Sequence, residues 1–348
     1  MRRWLWGIPA ALLVAAALAD TAVWYFTVQQ MRDGLADWVA ARRASGWTIS
    51  AVAPAAGGWP VAATLTLRDV ELSGGKADIP GGLSWRADRV ELRLAPRDPH
   101  VLRIETAGLQ HLRLSDAPAF EYSATRLELL VPLQADPEAQ PLDLQGKALR
   151  AHVIVAGGED SMTIATLDAH AVLHPDAGRG QSAVSLAAAA GEIALPPRVD
   201  WPLGQNVRSL AIEAALDGPL SGAPTLTQRA AEWRAGGGAI HVQHLALRWG
   251  ALDLTAQATL GLDDQLQPAA SGTAVVAGYA PTLDVLATHG VISNSAAVAA
   301  KAMLSLIAAT PADGGPAEVE VPLSLQQGTL SMHQIPLVRL PKLDWPPS

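Results

Sequence analysis

The chain has no cysteine. That absence removes disulfides, thiolate zinc sites, iron–sulfur ligation and cysteine nucleophiles together. Charge is sparse: Asp, Glu, Lys and Arg make up 17% of the 348 residues, against roughly 25% in an average soluble domain. The 25 basic residues face 33 acidic ones, for a net charge of −8. Nucleic acid or an anionic lipid surface as main partner would need a basic patch, and this balance weighs against one. Only two Phe and three Tyr accompany eleven Trp. Nucleotide and hydrolase signatures are missing too: there is no P-loop, no Gly-x-Ser-x-Gly elbow and no Gly-x-Gly-x-x-Gly after a strand.

What the chain does have begins at its amino terminus. Arg2 and Arg3 precede residues 4–19, which carry no charge; Asp20 interrupts, and residues 21–28 (TAVWYFTV) resume the apolar character. A helix rises about 1.5 Å per residue, so residues 4–28 have the length to cross a hydrocarbon core of roughly 30 Å. This reads as a membrane anchor built on Trp4, Trp6, Leu12, Leu13, Val14, Leu18, Trp24, Tyr25 and Phe26, with aromatics toward both interfaces. The arginines keep the start of the chain inside and send the remainder across. A cleaved signal peptide is the competing reading, since Ala17-Leu18-Ala19 has the form of a cleavage site. Two features favour retention. Apolar character resumes after Asp20, and a helical pattern continues through Met31, Leu35, Trp38, Val39 and Arg42 to a stop at Gly46. Both readings export the body.

Beyond Gly46 the hydrophobic period changes from 3.6 to 2. Val61, Ala63, Leu65 and Leu67 alternate with Ala62, Thr64 and Thr66, the phase slips at Asp69 as at a bulge, and Val70 and Leu72 resume it. Similar segments are expected at 90–94, 102–106, 109–114, 120–124, 127–133, 149–155, 162–173, 184–188, 193–195 and 210–216. The clearest pair is 240–249 and 252–262, joined by Gly250-Ala251; 273–277, 318–326 and 329–332 follow. Helices are expected at 225–235 behind Thr225 or Thr227, at 282–289 behind Pro281, and at 295–308. The fold class is mainly β (α+β): long antiparallel sheet, as a curved groove or a sandwich, with a few short helices near 225–235 and 281–309. The expected organisation is an anchor over 1–28, a juxtamembrane helix over 29–46, a β-rich body over 47–335 and an extended, poorly ordered Pro-rich tail over 336–348.

Chemistry is hard to find. His170 and His174 are four apart on an expected strand, a spacing that separates the rings by more than about 12 Å. His241 and His244, three apart, are expected on opposite faces, and Asp168 and Asp176 read as polar alternates. Neither pair has metal-ligand spacing. Gly236-Gly237-Gly238 precedes a strand rather than a helix, so it reads as a helix stop and not a phosphate nest. Arg93 and Arg248 read as solvated face residues. No cofactor, metal or catalytic residue is expected, and the chain is not read as an enzyme.

Several stretches carry a family likeness: Leu245-x-Leu-x-Trp-Gly-x-Leu-x-Leu-x-Ala256, residues 43–47 after the apolar segment, Gly58-Trp59-Pro60, and Val321-Pro-Leu-x-Leu-x-x-Gly-x-Leu330. Together, in order and over nearly the whole chain, they resemble the uncharacterised bacterial family labelled domain of unknown function 2125. Gly58-Trp59-Pro60 departs conservatively from that family's commoner Gly-Phe-Pro-like form. The resemblance implies an inner-membrane protein of Gram-negative bacteria, with its body in the periplasm (soluble there if the segment is cleaved). It also implies a strand pattern similar to AsmA-like proteins, whose β-grooves are thought to carry lipid. It assigns no residue a role.

The apolar stripes remain. Either the sheets cover each other and close a core, or a curved sheet leaves a trough for a ligand. A trough would be lined by Leu245, Leu247, Trp249, Leu252, Leu254, Leu323 and Leu325. The expected role is therefore non-enzymatic: binding or passing lipid, or another hydrophobic ligand, in a β-groove. The alternative is a scaffold with a closed β core that engages an envelope protein. The expected partners are the inner membrane, lipid or such a protein.

Overall fold

The computed structural model describes residues 7–75, 82–114, 120–134, 136, 138–155, 158–219, 225–310, 316–332, 335–343 and 345. The chain divides into two compact units, residues 1–134 and 135–348. The predominance of antiparallel strand expected from the period-2 pattern holds in both.

The first unit opens with one unbroken helix, α1 (Gly7–Ala44), ended by Gly46 at φ +85°. Seven strands follow: β1 (Thr48–Ser50), β2 (Ala55–Gly57), β3 (Ala63–Gly74), β4 (Leu83–Ala95), β5 (Asp98–Leu114), β6 (Phe120–Ser123) and β7 (Arg126–Pro132). β3, β4 and β5 pair in chain order. β1 and β2 both pair with β3, and β6 and β7 both pair with β5. At Asp69, where a bulge is expected, the backbone takes φ 51° and the two phases of β3 meet, but the register with β4 is unbroken from Arg68↔Arg89 to Val70↔Ala87. Segments 102–106 and 109–114, expected as two strands, are one: Gly108 (φ +87°) absorbs the phase slip and β5 runs on.

The core of this unit lies between α1 and the sheet. Trp24, Val28, Met31 and Leu35 recur at four- and three-residue steps, so they share one stripe of α1. They pack on Leu65, Leu67, Ala87, Val90 and Leu92 of β3 and β4. On the opposite face, Glu128 is 1% exposed and accepts from Arg103 Nη1 at 2.9 Å and Arg126 Nη2 at 2.5 Å. The two guanidinium donors satisfy carboxylate oxygens that burial removes from water.

Among the described residues no helix is long and apolar enough to cross a membrane, so the expected transmembrane helix is not supported. Asp20 sits inside the stretch, and from Gln29 onward α1 turns polar. Trp4 and Trp6 lie outside the described residues, as does the side chain of Leu12.

The second unit is a meander of ten strands: β8 (Gln140–Val155), β9 (Gly158–Leu173), β10 (Ser182–Ala194), β11 (Asn206–Asp217), then, after α2 (Leu226–Ala235), β12 (Ala239–Trp249), β13 (Leu252–Leu262) and β14 (Pro268–Ala277). After α3 (Tyr279–Thr288) and α4 (Asn294–Ile307) come β15 (Glu318–Gln326), β16 (Thr329–Met332) and β17 (Ile335–Arg339). Each strand pairs antiparallel with the next. Thr225 caps α2, accepting from the Gln228 N–H at 3.2 Å. Gly278 (φ +67°) lets β14 turn into α3; a Cβ there would stand 1.9 Å from the Ala251 carbonyl oxygen.

Three expectations are corrected in this unit. Segments 184–188 and 193–195 form one strand, β10, with Glu192 at φ 48° taking up the slip. Among its described residues the tail is held by long-range bonds. β17 pairs with β16, the Leu343 N–H donates to Gln267 Oε1 at 2.9 Å, and Trp345 Nε1 donates to the Leu266 carbonyl at 2.9 Å. His241 and His244 share a face, because a bulge between them places them opposite Ala215 and Glu213.

Candidate ligand-binding face

The register of the second unit gathers its apolar residues onto one side. Residues directly opposite in antiparallel strands share a face. One cross-strand row runs Leu144–Ala169–Ala188–Ile212–Leu245–Ala256–Ala274–Val321 from β8 to β15. The next runs Gly146–Leu167–Ala190–Leu210–Leu247–Leu254–Val276–Val319. On their far sides lie the rows Leu142–Ala171–Leu186–Ala214–Val242–Ala258–Gly272–Leu323 and Leu149–Ile164–Ile193–Val207–Trp249–Leu252. No charged residue interrupts these four rows. Positive φ at Ala148 (49°) and Glu192 (48°), with register shifts between β11 and β12 and between Val242 and Leu245 of β12, keep these residues on one side.

The seven expected lining residues all stand on this face. Leu247 is opposite Leu254, Trp249 opposite Leu252, Leu245 opposite Ala256, Leu323 opposite Gly272 and Leu325 opposite Ala270. They do not share one environment. The α3–α4 pair covers the β14–β15 end: Leu304, Leu283 and Tyr279 pack on Ala274, Val276, Val319, Val321 and Leu323, and Leu325 is buried too. Toward β8–β12 most of the face is only half-buried, and Leu186 and Leu210 are each 38% exposed. Ala169, Ala171, Ala188 and Ala190 form a low strip on β9 and β10, between Leu142 and Leu144 on one side and Leu210 and Ile212 on the other. Sequence reasoning missed this part. The signal was present as alternation in 162–173, 184–188 and 210–216, but alanines on both faces blur it.

The reverse face is polar and paired. His170 Nδ1 lies 2.7 Å from Asp143 Oδ1, His241 Nε2 3.2 Å from Asp217 Oδ2, and Arg248 Nε 2.9 Å from Asp253 Oδ2. Among the described residues no group of three or more His, Asp or Glu is gathered as a metal site. In the first unit, burial pushes the Tyr122 phenol above its ordinary 10.0, against the pull of the Trp85 indole N–H donated to it at 3.1 Å.

The expected anchor residues also separate. Leu13, Val14, Leu18, Tyr25 and Phe26 project from α1 without cover, Leu13 at 72% exposure. Trp24 does not join them: it packs in the first unit's core and donates Nε1–H to the Gly57 carbonyl at 3.0 Å.

This amphipathic β architecture coincides with a family match over residues 24–341, to the uncharacterised proteins conserved in bacteria grouped as DUF2125. The chain belongs to that family. No curated protein and no solved structure matches the chain. In this DUF2125 protein the matched segment holds the strands of both units and begins at Trp24, where α1 packs on the first unit's strands.

Proposed function

We propose that this DUF2125 protein is a non-enzymatic protein of the bacterial envelope that takes up the acyl chains of a lipid on the apolar face of its second unit. The observation that carries the reading is the set of four uncharged cross-strand rows, left half-exposed over β8–β12. An apolar surface of that extent is unfavourable in water and marks a binding site or an interface. A lipid is the favoured occupant because the amino-terminal half of α1 presents Leu13, Val14, Leu18 and Phe26 to its surroundings. A helix apolar on all sides belongs in protein or in lipid. The chain is thus read as an envelope protein that rests against a membrane through that half of α1.

Binding of a fluorescent polyene fatty acid by the full chain tests this reading. The fluorescence should rise saturably, and Ala188→Trp, which fills the alanine strip, should weaken binding at least tenfold. Saturation unchanged by that substitution would remove the face from the reading.

One observation favours the scaffold alternative. The outward side of α4 carries Val298, Met303 and Leu306, the last 85% exposed. If that side holds an envelope protein, Leu306→Glu will abolish capture of one specific partner in detergent while leaving fatty-acid binding intact.

A further inference from the structure

The apolar face of the second unit carries two hollows of small residues. One lies on β13 and β14, where Ala256 stands opposite Ala274 and Ala258 opposite Gly272. The other lies on β9 and β10, where Ala169 stands opposite Ala188, with Ala171 and Ala190 diagonally beside them. The first hollow is covered from within the chain: Leu304 of α4 packs there with Ala274, Val319 and Val321. The second is open. Leu186, opposite Ala171, and Leu210, opposite Ala190, wall it and are themselves exposed. The helix that covers the first hollow uses only one of its sides. Ala297 and Leu304 face inward and are buried, whereas Val298, Ala299, Ala302, Met303 and Leu306 are exposed, Leu306 at 85%. The one charged residue of α4, Lys301, is paired with Asp284 of α3, so the outer side carries no charge.

A helix apolar on both sides belongs between two apolar layers. One layer is its own sheet. We infer that a second copy of this chain supplies the other, with the outer side of α4 seated on the open hollow of its partner, Leu306 against Ala188. The open rows continue those on which α4 already packs, so the partner's helix meets the same kind of surface that its own sheet offers it. Both patches lie on one face of one unit, and a two-fold axis makes the contact twice and closes it. With 14 residues, α4 is about 21 Å long and about 10 Å across, so each contact covers roughly 200 Å² on each partner. Two such contacts, with side-chain relief, bury on the order of 1,000 Å² over both copies, about what a specific interface requires. The rows that receive α4 are those assigned to acyl chains, so the dimer is the lipid-free form. The contact itself does not depend on that assignment.

The chain has no cysteine, so single substitutions report the contact. Leu306→Cys and Ala188→Cys are made in separate full-length chains, mixed in mild detergent and oxidised with copper phenanthroline. A disulfide-linked pair should form in the mixture at least tenfold above either variant alone. Ala189→Cys, one residue on and on the reverse face, should give only that background. Sedimentation of the lipid-free natural chain should show a dimer, which Leu306→Glu converts to monomer with an unchanged circular dichroism spectrum. Decanoic acid should suppress the cross-link. Equal yields at 188 and 189, no cross-link in the mixture, or a monomeric natural chain overturns the dimer, and a lipid of defined mass on that monomer would give the rows to lipid alone. A cross-link that decanoic acid leaves unchanged keeps the dimer and removes acyl chains from these rows.

Discussion

Trp24 of α1 donates its indole N–H to the Gly57 carbonyl of β2 at 3.0 Å, across 33 residues of sequence. That contact ties the helix to the sheet at the level where the exposed apolar half of α1 begins. Below it Val28, Met31 and Leu35 pack; above it Leu18, Val14 and Leu13 do not. Trp24→Phe keeps most of the packing and loses the bond, so it should cost about 1 kcal/mol of stability. Trp24→Ala should cost roughly 3 kcal/mol or more. Thermal unfolding followed by circular dichroism checks both.

Leu65 is the fully buried centre of the first unit. Leu65→Ala should destabilise that unit by about 2–5 kcal/mol through lost transfer energy and the cavity left behind. The second unit has its own packing around Ala274, Val319 and Val321. Hydrogen exchange should therefore show faster exchange in β3–β5 and unchanged protection in β12–β15.

Tyr122 makes the first unit sensitive to alkali. Its folded pKa is raised by burial, so the folded state holds the phenolic proton to higher pH than the unfolded chain. That stability is complete below the unfolded pKa, taken as 10.0, and is lost as pH rises from there through the folded pKa. Tyr122→Phe should flatten the loss, as read from urea midpoints between pH 9 and 11. An unchanged slope would assign the alkaline sensitivity elsewhere.

The tail is held by Gln267, which accepts from the Leu343 N–H at 2.9 Å and donates to the Leu343 carbonyl at 3.1 Å. Gln267→Ala removes both bonds. Limited proteolysis should then cut faster near Lys342 than in the natural chain, with little change in overall stability.

Much of this was legible in the residues, and the failures have physical causes. Thr225, Gly46 and the phase break at Asp69 are legible because each has a local signature: a capping hydroxyl, a glycine after the last apolar position, a break in alternation. β5 and β10 were each read as two strands because Gly108 and Glu192 break the alternation without ending the strand. The tail looks loose in sequence because its prolines hide long-range bonds to Gln267 and Leu266. A fixed period of two puts His241 and His244 on opposite faces because it cannot see the bulge between them. The face itself was recognised only at Leu245, Leu247, Trp249, Leu252, Leu254, Leu323 and Leu325, where large residues alternate with polar ones. Which part lay open was not legible, since coverage by α3 and α4 is a tertiary fact. That difference redirects the mutagenesis. Leu323 sits beneath the helices, so Leu323→Arg should unfold the local core, whereas Leu186→Arg and Leu210→Arg alter an exposed surface.

The lipid reading requires that the open rows hold lipid. Native mass spectrometry of the full-length protein, extracted from bacterial envelopes in mild detergent, measures that directly. The prediction is a bound species of defined lipid mass that disappears in the Leu186→Arg/Leu210→Arg variant, while the variant keeps the natural circular dichroism spectrum. A lipid-free mass across several detergents, or a lipid retained by the double variant, would contradict it.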